Sequence, residues 1–180
     1  MQTKYRYILL LSLILLPFFI ISCLAIQEKE SRGYIVELGQ LAPDFSMQLS
    51  NGEDFTLNEH RGKLVMLQFT ASWCGVCRKE MPFIEQDIWL KHKDNPNFVL
   101  VGIDRDEPLE TVVGFAESTG ITYPLGLDPN GDIFALYADR KAGITRNVII
   151  DKEGKILMLT RLYDKKEFAE MCALIDAYLE

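Results

Sequence analysis

Leu64-Val65-Met66-Leu67-Gln68-Phe69-Thr70-Ala71-Ser72-Trp73-Cys74-Gly75-Val76-Cys77-Arg78-Lys79-Glu80-Met81 is the stretch on which the fold turns. Leu64 to Phe69 is almost wholly apolar, as a central strand covered on both faces should be. Arg78-Lys79-Glu80-Met81 reads as a helix, so Cys74-Gly75-Val76-Cys77 stands at a strand-to-helix junction. Two thiols with two residues between them at such a junction form a redox dithiol. Unpaired backbone N–H groups and the positive end of the helix dipole favour a thiolate at the first cysteine. Cys74 is therefore read as the nucleophile. Cys77, one helical turn further in, can attack a mixed disulfide on Cys74 and release the substrate.

The competing readings are half of a zinc site and a chance pair of core cysteines. Structural zinc takes four ligands, usually with a second Cys or His pair at close spacing. His60 and His92 are isolated, and the other cysteines are Cys23 and Cys172. The dithiol reading is preferred, with no metal and no cofactor.

The chain has 180 residues and a formal net charge of −7, with a pI near 4.9. Its cations are interleaved with acids, so nucleic acid is excluded as a partner. Setting aside the N-terminal segment leaves about 155 residues, enough for one domain with a sizeable core.

The N-terminus reads as an export signal over residues 1–22. Lys4 and Arg6 form a basic start, Ile8 to Phe19 an apolar core, and Ile20-Ile21-Ser22-Cys23 ends it with a small residue before cysteine. That ending resembles the bacterial lipobox, which implies lipid attachment at Cys23. The alternative is an uncleaved helix, since Ile8 to Ile26 is just long enough to span a bilayer. Its flanking charges would place the following domain outside. Residues 23–38 then form anchor and tether, and residues 39–180 the domain.

Downstream, strands and helices alternate. Phe55 to Leu57, Leu64 to Phe69, Asn97 to Asp104 and Tyr123 to Leu127 are strand candidates. A helix from about Gly75 to Lys93 is interrupted by Pro82, which is expected to kink it. Pro108 starts another helix, with Leu109, Val112, Val113 and Ala116 as its apolar face. A short helix is expected over Asp132 to Tyr137. Val148 to Asp151 and Lys155 to Leu159 flank a Lys152-Glu153-Gly154 turn. Asp164 caps a final helix burying Phe168, Met171, Cys172, Ile175, Tyr178 and Leu179. The pattern is an α/β fold around a mixed sheet flanked by helices.

Gly39-Gln40-Leu41-Ala42-Pro43-Asp44-Phe45, Arg61-Gly62-Lys63, Phe69 to Pro82 and Ile150-Asp151-Lys152-Glu153-Gly154-Lys155 together resemble the TlpA-like (ResA-like) branch of the thioredoxin superfamily. The resemblance covers nearly everything after Gly39. It implies a thioredoxin-like fold with an N-terminal β-hairpin and a central βα insertion containing Asp104 and Tyr123-Pro124. It also implies a membrane-anchored, extracytoplasmic thiol-disulfide oxidoreductase of the bacterial cell envelope, with the periplasm as its setting. Its partners would be client proteins bearing disulfides or thiols, a membrane redox partner that recharges the dithiol, and the membrane itself.

Three departures from that family stand out. Its cis-proline falls at Thr145 in Gly143-Ile144-Thr145-Arg146, and a cis bond before a non-proline residue costs about 3–4 kcal/mol, so a trans Ile144–Thr145 bond is expected. Gln68 stands where thioredoxins bury an aspartate and cannot accept the proton of Cys77. The inter-cysteine pair, Gly75 and Val76, lacks the family's common proline. Glu80 is the substitute carboxylate, three residues after Cys77; the same residue also suits an ordinary solvated first-turn glutamate. Trp73 is expected to shield the disulfide, and Cys172 to act as a small buried hydrophobe. Asp128-Pro129-Asn130-Gly131-Asp132 is read as a turn rather than a calcium loop.

Three functions follow: a dithiol-disulfide oxidoreductase, a peroxiredoxin-like thiol peroxidase, and a tethered binding or metal-handling module. Against the second, Ala71 occupies the place of the threonine that peroxidatic sites carry three residues before their cysteine. Against the third, no ligand histidine or methionine is obvious beside the dithiol.

Overall fold

The computed structural model describes residues 32–180. The expected export signal and Cys23 lie outside the described residues. Tyr34–Glu180 forms one compact unit. It therefore begins ahead of the expected boundary at Gly39, because Tyr34 and Val36 are already buried in the core. The single Tyr34 hydroxyl hydrogen is shared between the Thr160 carbonyl at 2.6 Å and the Asn147 carbonyl at 3.1 Å, tying the start of the unit to two distant strands.

Five strands make the central sheet, in the order β5 (Leu125–Asp128), β4 (Phe98–Arg105), β3 (Leu64–Thr70), β6 (Arg146–Ile150), β7 (Ile156–Arg161). β3, β4 and β5 run parallel, while β6 and β7 are antiparallel. Every residue of β3 is buried, in keeping with its apolar sequence and central place. A separate hairpin pairs β1 (Ser46–Gln48) with β2 (Asp54–Thr56). It docks where Leu49 bridges Gly126, and a Cβ on Gly126 would run into Met47 Sδ. This is the mixed α/β architecture the family resemblance implies.

The helices cover the sheet. α1 (Gly75–Ile84) runs through Pro82 without ending there. The irregularity follows as a π turn, Glu85–Trp89, before a last short turn, Leu90–His92. At its start Thr122 donates to the buried Glu85 carboxylate through its N–H at 2.8 Å and its hydroxyl at 2.7 Å.

α2 (Leu109–Thr119) buries Val112 and Phe115. Leu109 and Val113 are exposed, so the expected apolar face is corrected by part of a turn. α3 (Phe134–Tyr137) is capped by Asp128, whose carboxylate accepts from Ile133 N–H and Phe134 N–H; that use of Asp128 suits a turn. α4 (Lys165–Leu179) is capped by Asp164 and buries Phe168, Met171 and Ile175. Cys172 is half-buried and packs against the core, whereas Tyr178 is exposed, against the expectation that it faces the core.

Candidate active site

The strand β3 ends at Thr70, and four residues later Cys74 caps α1 with its sulfur accepting the Cys77 N–H at 3.2 Å. A helix N-terminus offers unsatisfied donors and a positive dipole end, so this is where a thiolate is best stabilised. Cys74 and Cys77 lie at disulfide distance, with Cα atoms 5.3 Å apart. Cys74 keeps 8% exposure and Cys77 none.

Thr145 stands over both sulfurs. Its Oγ1 lies 3.1 Å from Cys74 Sγ and 3.2 Å from Cys77 Sγ, although 71 and 68 residues separate them in the chain. Among the described residues there is no cis peptide bond, so Ile144–Thr145 is trans. Ile144 and Thr145 are both buried, and the Thr145 carbonyl accepts the Leu162 N–H at 3.2 Å.

Beneath the dithiol, Glu80 is 2% exposed. The solvated first-turn reading of this residue is therefore corrected. Asn147 Nδ2 donates to Glu80 Oε1 at 2.9 Å and to Thr160 Oγ1 at 2.9 Å. Gln68, directly opposite Asn147 in the β3–β6 register, brings its amide beside the same carboxyl as a weaker donor outside good hydrogen-bond geometry. Tyr123 donates its hydroxyl to Gln68 Oε1 at 2.7 Å, fixing which way that amide points. Burial raises the Glu80 pKa from 4.5 to about 7; the Asn147 and Gln68 amides act the other way, and Glu167 adds to the rise. A carboxyl that titrates near neutrality can give or take a proton at working pH.

Trp73, adjacent to Cys74 in the chain, is 64% exposed. Gly75 is exposed and Val76 half-buried. Asn147 was not singled out from sequence, and Tyr123 was named only as part of the insertion, not as a site residue. The available signal for Asn147 was a polar residue directly before the apolar run Val148-Ile149-Ile150 and two positions after Thr145, the spacing that puts side chains on one face of an extended chain. Among the described residues no group of three or more His, Cys, Asp or Glu could hold a metal ion.

The model of the family described as Redoxin matches residues 37–175. The chain belongs to the Redoxin family. Thiol-disulfide oxidoreductase ResA of Geobacillus thermodenitrificans is 31% identical over 121 residues, 67% of either chain. ResA of Bacillus thuringiensis subsp. konkukian is 29% identical over 135 residues, covering 75% of this chain and 76% of its own. The solution structure of a candidate protein disulfide isomerase from Bacteroides thetaiotaomicron matches with a TM-score of 0.80 at 69% identity, covering 82% of this chain and 92% of that one. A candidate thiol:disulfide interchange protein DsbE from Chlorobium tepidum matches at 25% identity and TM-score 0.68, over 81% and 99%. Fold, dithiol and relatives agree: this Redoxin-family chain is a thiol-disulfide oxidoreductase.

Proposed function

We propose that the chain is an extracytoplasmic, membrane-anchored oxidoreductase that exchanges disulfides with client proteins through Cys74 and Cys77. The observation that carries the division of labour is the asymmetry of the pair. Cys74 holds the helix cap and the remaining exposure, while Cys77 is sealed inside. In the reducing direction the Cys74 thiolate attacks a client disulfide, forming a mixed disulfide and expelling one client thiolate. The Cys77 thiolate then attacks Cys74 Sγ, expelling the second client thiolate and closing the Cys74–Cys77 disulfide. Two electrons pass to the client, and a thiol-bearing membrane partner restores the dithiol. The oxidising direction is the same sequence reversed.

Glu80 takes the proton of Cys77 as that thiol becomes a nucleophile and returns it on reversal. Gln68 and Asn147 hold the carboxyl in place; Trp73, Gly75 and Val76 shape the approach to Cys74. The Ile144-Thr145 segment is the backbone against which an extended client strand pairs beside the disulfide. Lipidation at Cys23, after removal of residues 1–22, tethers the domain to the envelope membrane on its periplasmic side. Support for that location is the basic, apolar and Ser22-Cys23 sequence of the N-terminus. Among the described residues no helix is long and apolar enough to cross a membrane.

Rates of insulin-disulfide reduction and of peroxide consumption, measured on one sample of the domain, test this reading. Fast insulin reduction with negligible peroxide turnover is expected, because Ala71 is fully buried and brings no hydroxyl to a peroxide. The opposite ranking would overturn it in favour of a peroxidase.

A further inference from the structure

We propose that Asp104 and Glu107 form a carboxyl pair sharing one proton, which holds the Ser72-Trp73 peptide in position before the dithiol and lets it go when that proton is lost. The inference rests on the oxidoreductase reading only in taking Cys74 and Cys77 as the reacting groups. Ser72 is gripped from both sides. Its N–H donates to Glu107 Oε2 at 2.5 Å and its hydroxyl to Glu107 Oε1 at 2.5 Å. Its carbonyl accepts from Arg78 Nε at 2.6 Å. The Cys74 N–H in turn donates to the Ala71 carbonyl at 3.1 Å, so Ser72 and Trp73 are the middle of the turn that delivers Cys74 to the helix cap. Tilting the Ser72 peptide would therefore move Trp73, the exposed ring beside the disulfide, and the backbone entering Cys74.

Asp104 lies behind this grip, on β4 opposite Thr70 of β3. It is fully buried, and neither carboxyl oxygen receives an N–H or O–H donor. A buried carboxylate in that condition is strongly disfavoured, whereas the protonated acid would be satisfied by donating to Glu107, whose carboxylate is held at Ser72, two residues beyond the Thr70 that faces Asp104. Burial first, then the negative charge of Glu107 and the hydrogen bond to it, raise the Asp104 pKa to about 8. Its strand neighbours at this register, Thr70 and Leu127, carry no charge. Arg105 and Asp106 pair with each other, and Arg78 from α1 reaches Ser72. Glu107 is thus the charged group with which Asp104 must share its proton. Once the proton leaves, two carboxylates face each other in a poorly solvated place, and the outer one, Glu107, is half-exposed and free to swing from Ser72 into water.

Both residues are positioning residues; neither touches a sulfur. The test uses the full-length oxidised protein in detergent, where Cys74 and Cys77 do not titrate, carrying Trp89→Phe so that Trp73 is the remaining tryptophan. Its fluorescence should show a transition near pH 8. Asp104→Asn, whose amide donates to Glu107 without titrating, should abolish that transition and preserve the neutral-pH spectrum. Glu107→Gln should abolish it while shifting the neutral spectrum toward the alkaline form. In parallel, the exchange rate of Asp104→Asn divided by that of the parent should be near one at pH 7 and rise about tenfold by pH 9, the size of a lost charge-assisted hydrogen-bond pair. Should Asp104→Asn fail to fold, Ser72→Ala serves instead: it removes one arm of the grip and should shrink the transition. A transition near pH 8 that persists unchanged in Asp104→Asn, or in Ser72→Ala if that stands in, overturns the proposal. Loss of all exchange activity with the fluorescence behaviour intact would instead count against the oxidoreductase reading alone.

Discussion

Asn147 Nδ2 donates to Glu80 Oε1 at 2.9 Å across the buried floor of the dithiol site. The pairing joins the first turns of α1 to the middle strand of the antiparallel half of the sheet. It gives a buried acid one good donor, too few to hold it ionised against the cost of burial, and the Glu80 pKa stands at about 7.

A stability consequence follows with a definite sign. The folded-state pKa is raised above that of the unfolded chain, so the native state binds more protons between pH 4.5 and about 7. The associated stability is complete below pH 4.5 and is lost as pH rises through about 7. Glu80→Gln removes the dependence. Its stability relative to the parent, from denaturant melts of the oxidised protein, should be about 3 kcal/mol more favourable at pH 8.5 than at pH 4.5. A pH-independent difference would show that Glu80 titrates normally.

Much of the fold was legible because the sequence pattern and the burial pattern coincide. Leu64 to Phe69 is apolar throughout and lies at the sheet centre; the strand-helix alternation and the Lys152-Glu153-Gly154 turn give the order of elements. What was not legible depends on partners far along the chain. The buried Glu80 meets Asn147, 67 residues away, and Glu85 at the start of the π turn meets Thr122, 37 residues on. Leu109 and Val113 satisfy a helical stripe, yet α2 rotates to bury Phe115, whose ring also lies under the Arg78 guanidinium at 4.9 Å. Tyr34 looked like tether because its hydroxyl partners, Asn147 and Thr160, are more than 110 residues downstream.

Thr145→Val keeps the shape of the residue above the sulfurs and removes its hydroxyl. In the reduced protein that hydroxyl, 3.1 Å from Cys74 Sγ in the paired state, would be placed to donate to the Cys74 thiolate, so its loss should raise the Cys74 pKa and slow alkylation near neutral pH by about three- to tenfold. Melting temperature should change far less than the rate. An unchanged alkylation rate would remove Thr145 from the chemistry.

Cys172 should be the slow thiol. Burial first, with Asp87 and Asp176 nearby, pushes its pKa up to about 11, leaving little thiolate at neutral pH. In the reduced protein at pH 7.5, iodoacetamide should label Cys74 long before Cys172, as read by peptide mass spectrometry. Equal labelling would mean that α4 opens readily around it.

Replacing Cys23 by Ser should leave an unprocessed precursor without lipid in a bacterial host. Unchanged apparent mass and membrane association in the variant would favour an uncleaved N-terminal helix.

The central claim is that Cys74 attacks and Cys77 resolves, and trapping tests it most directly. Cys77→Ser and Cys74→Ser are expressed in the same envelope, free thiols are blocked, and disulfide-linked complexes are separated without reductant. The account predicts client complexes that are released by dithiothreitol with Cys77→Ser and none with Cys74→Ser. Equal trapping by both variants, or trapping by Cys74→Ser alone, would contradict it.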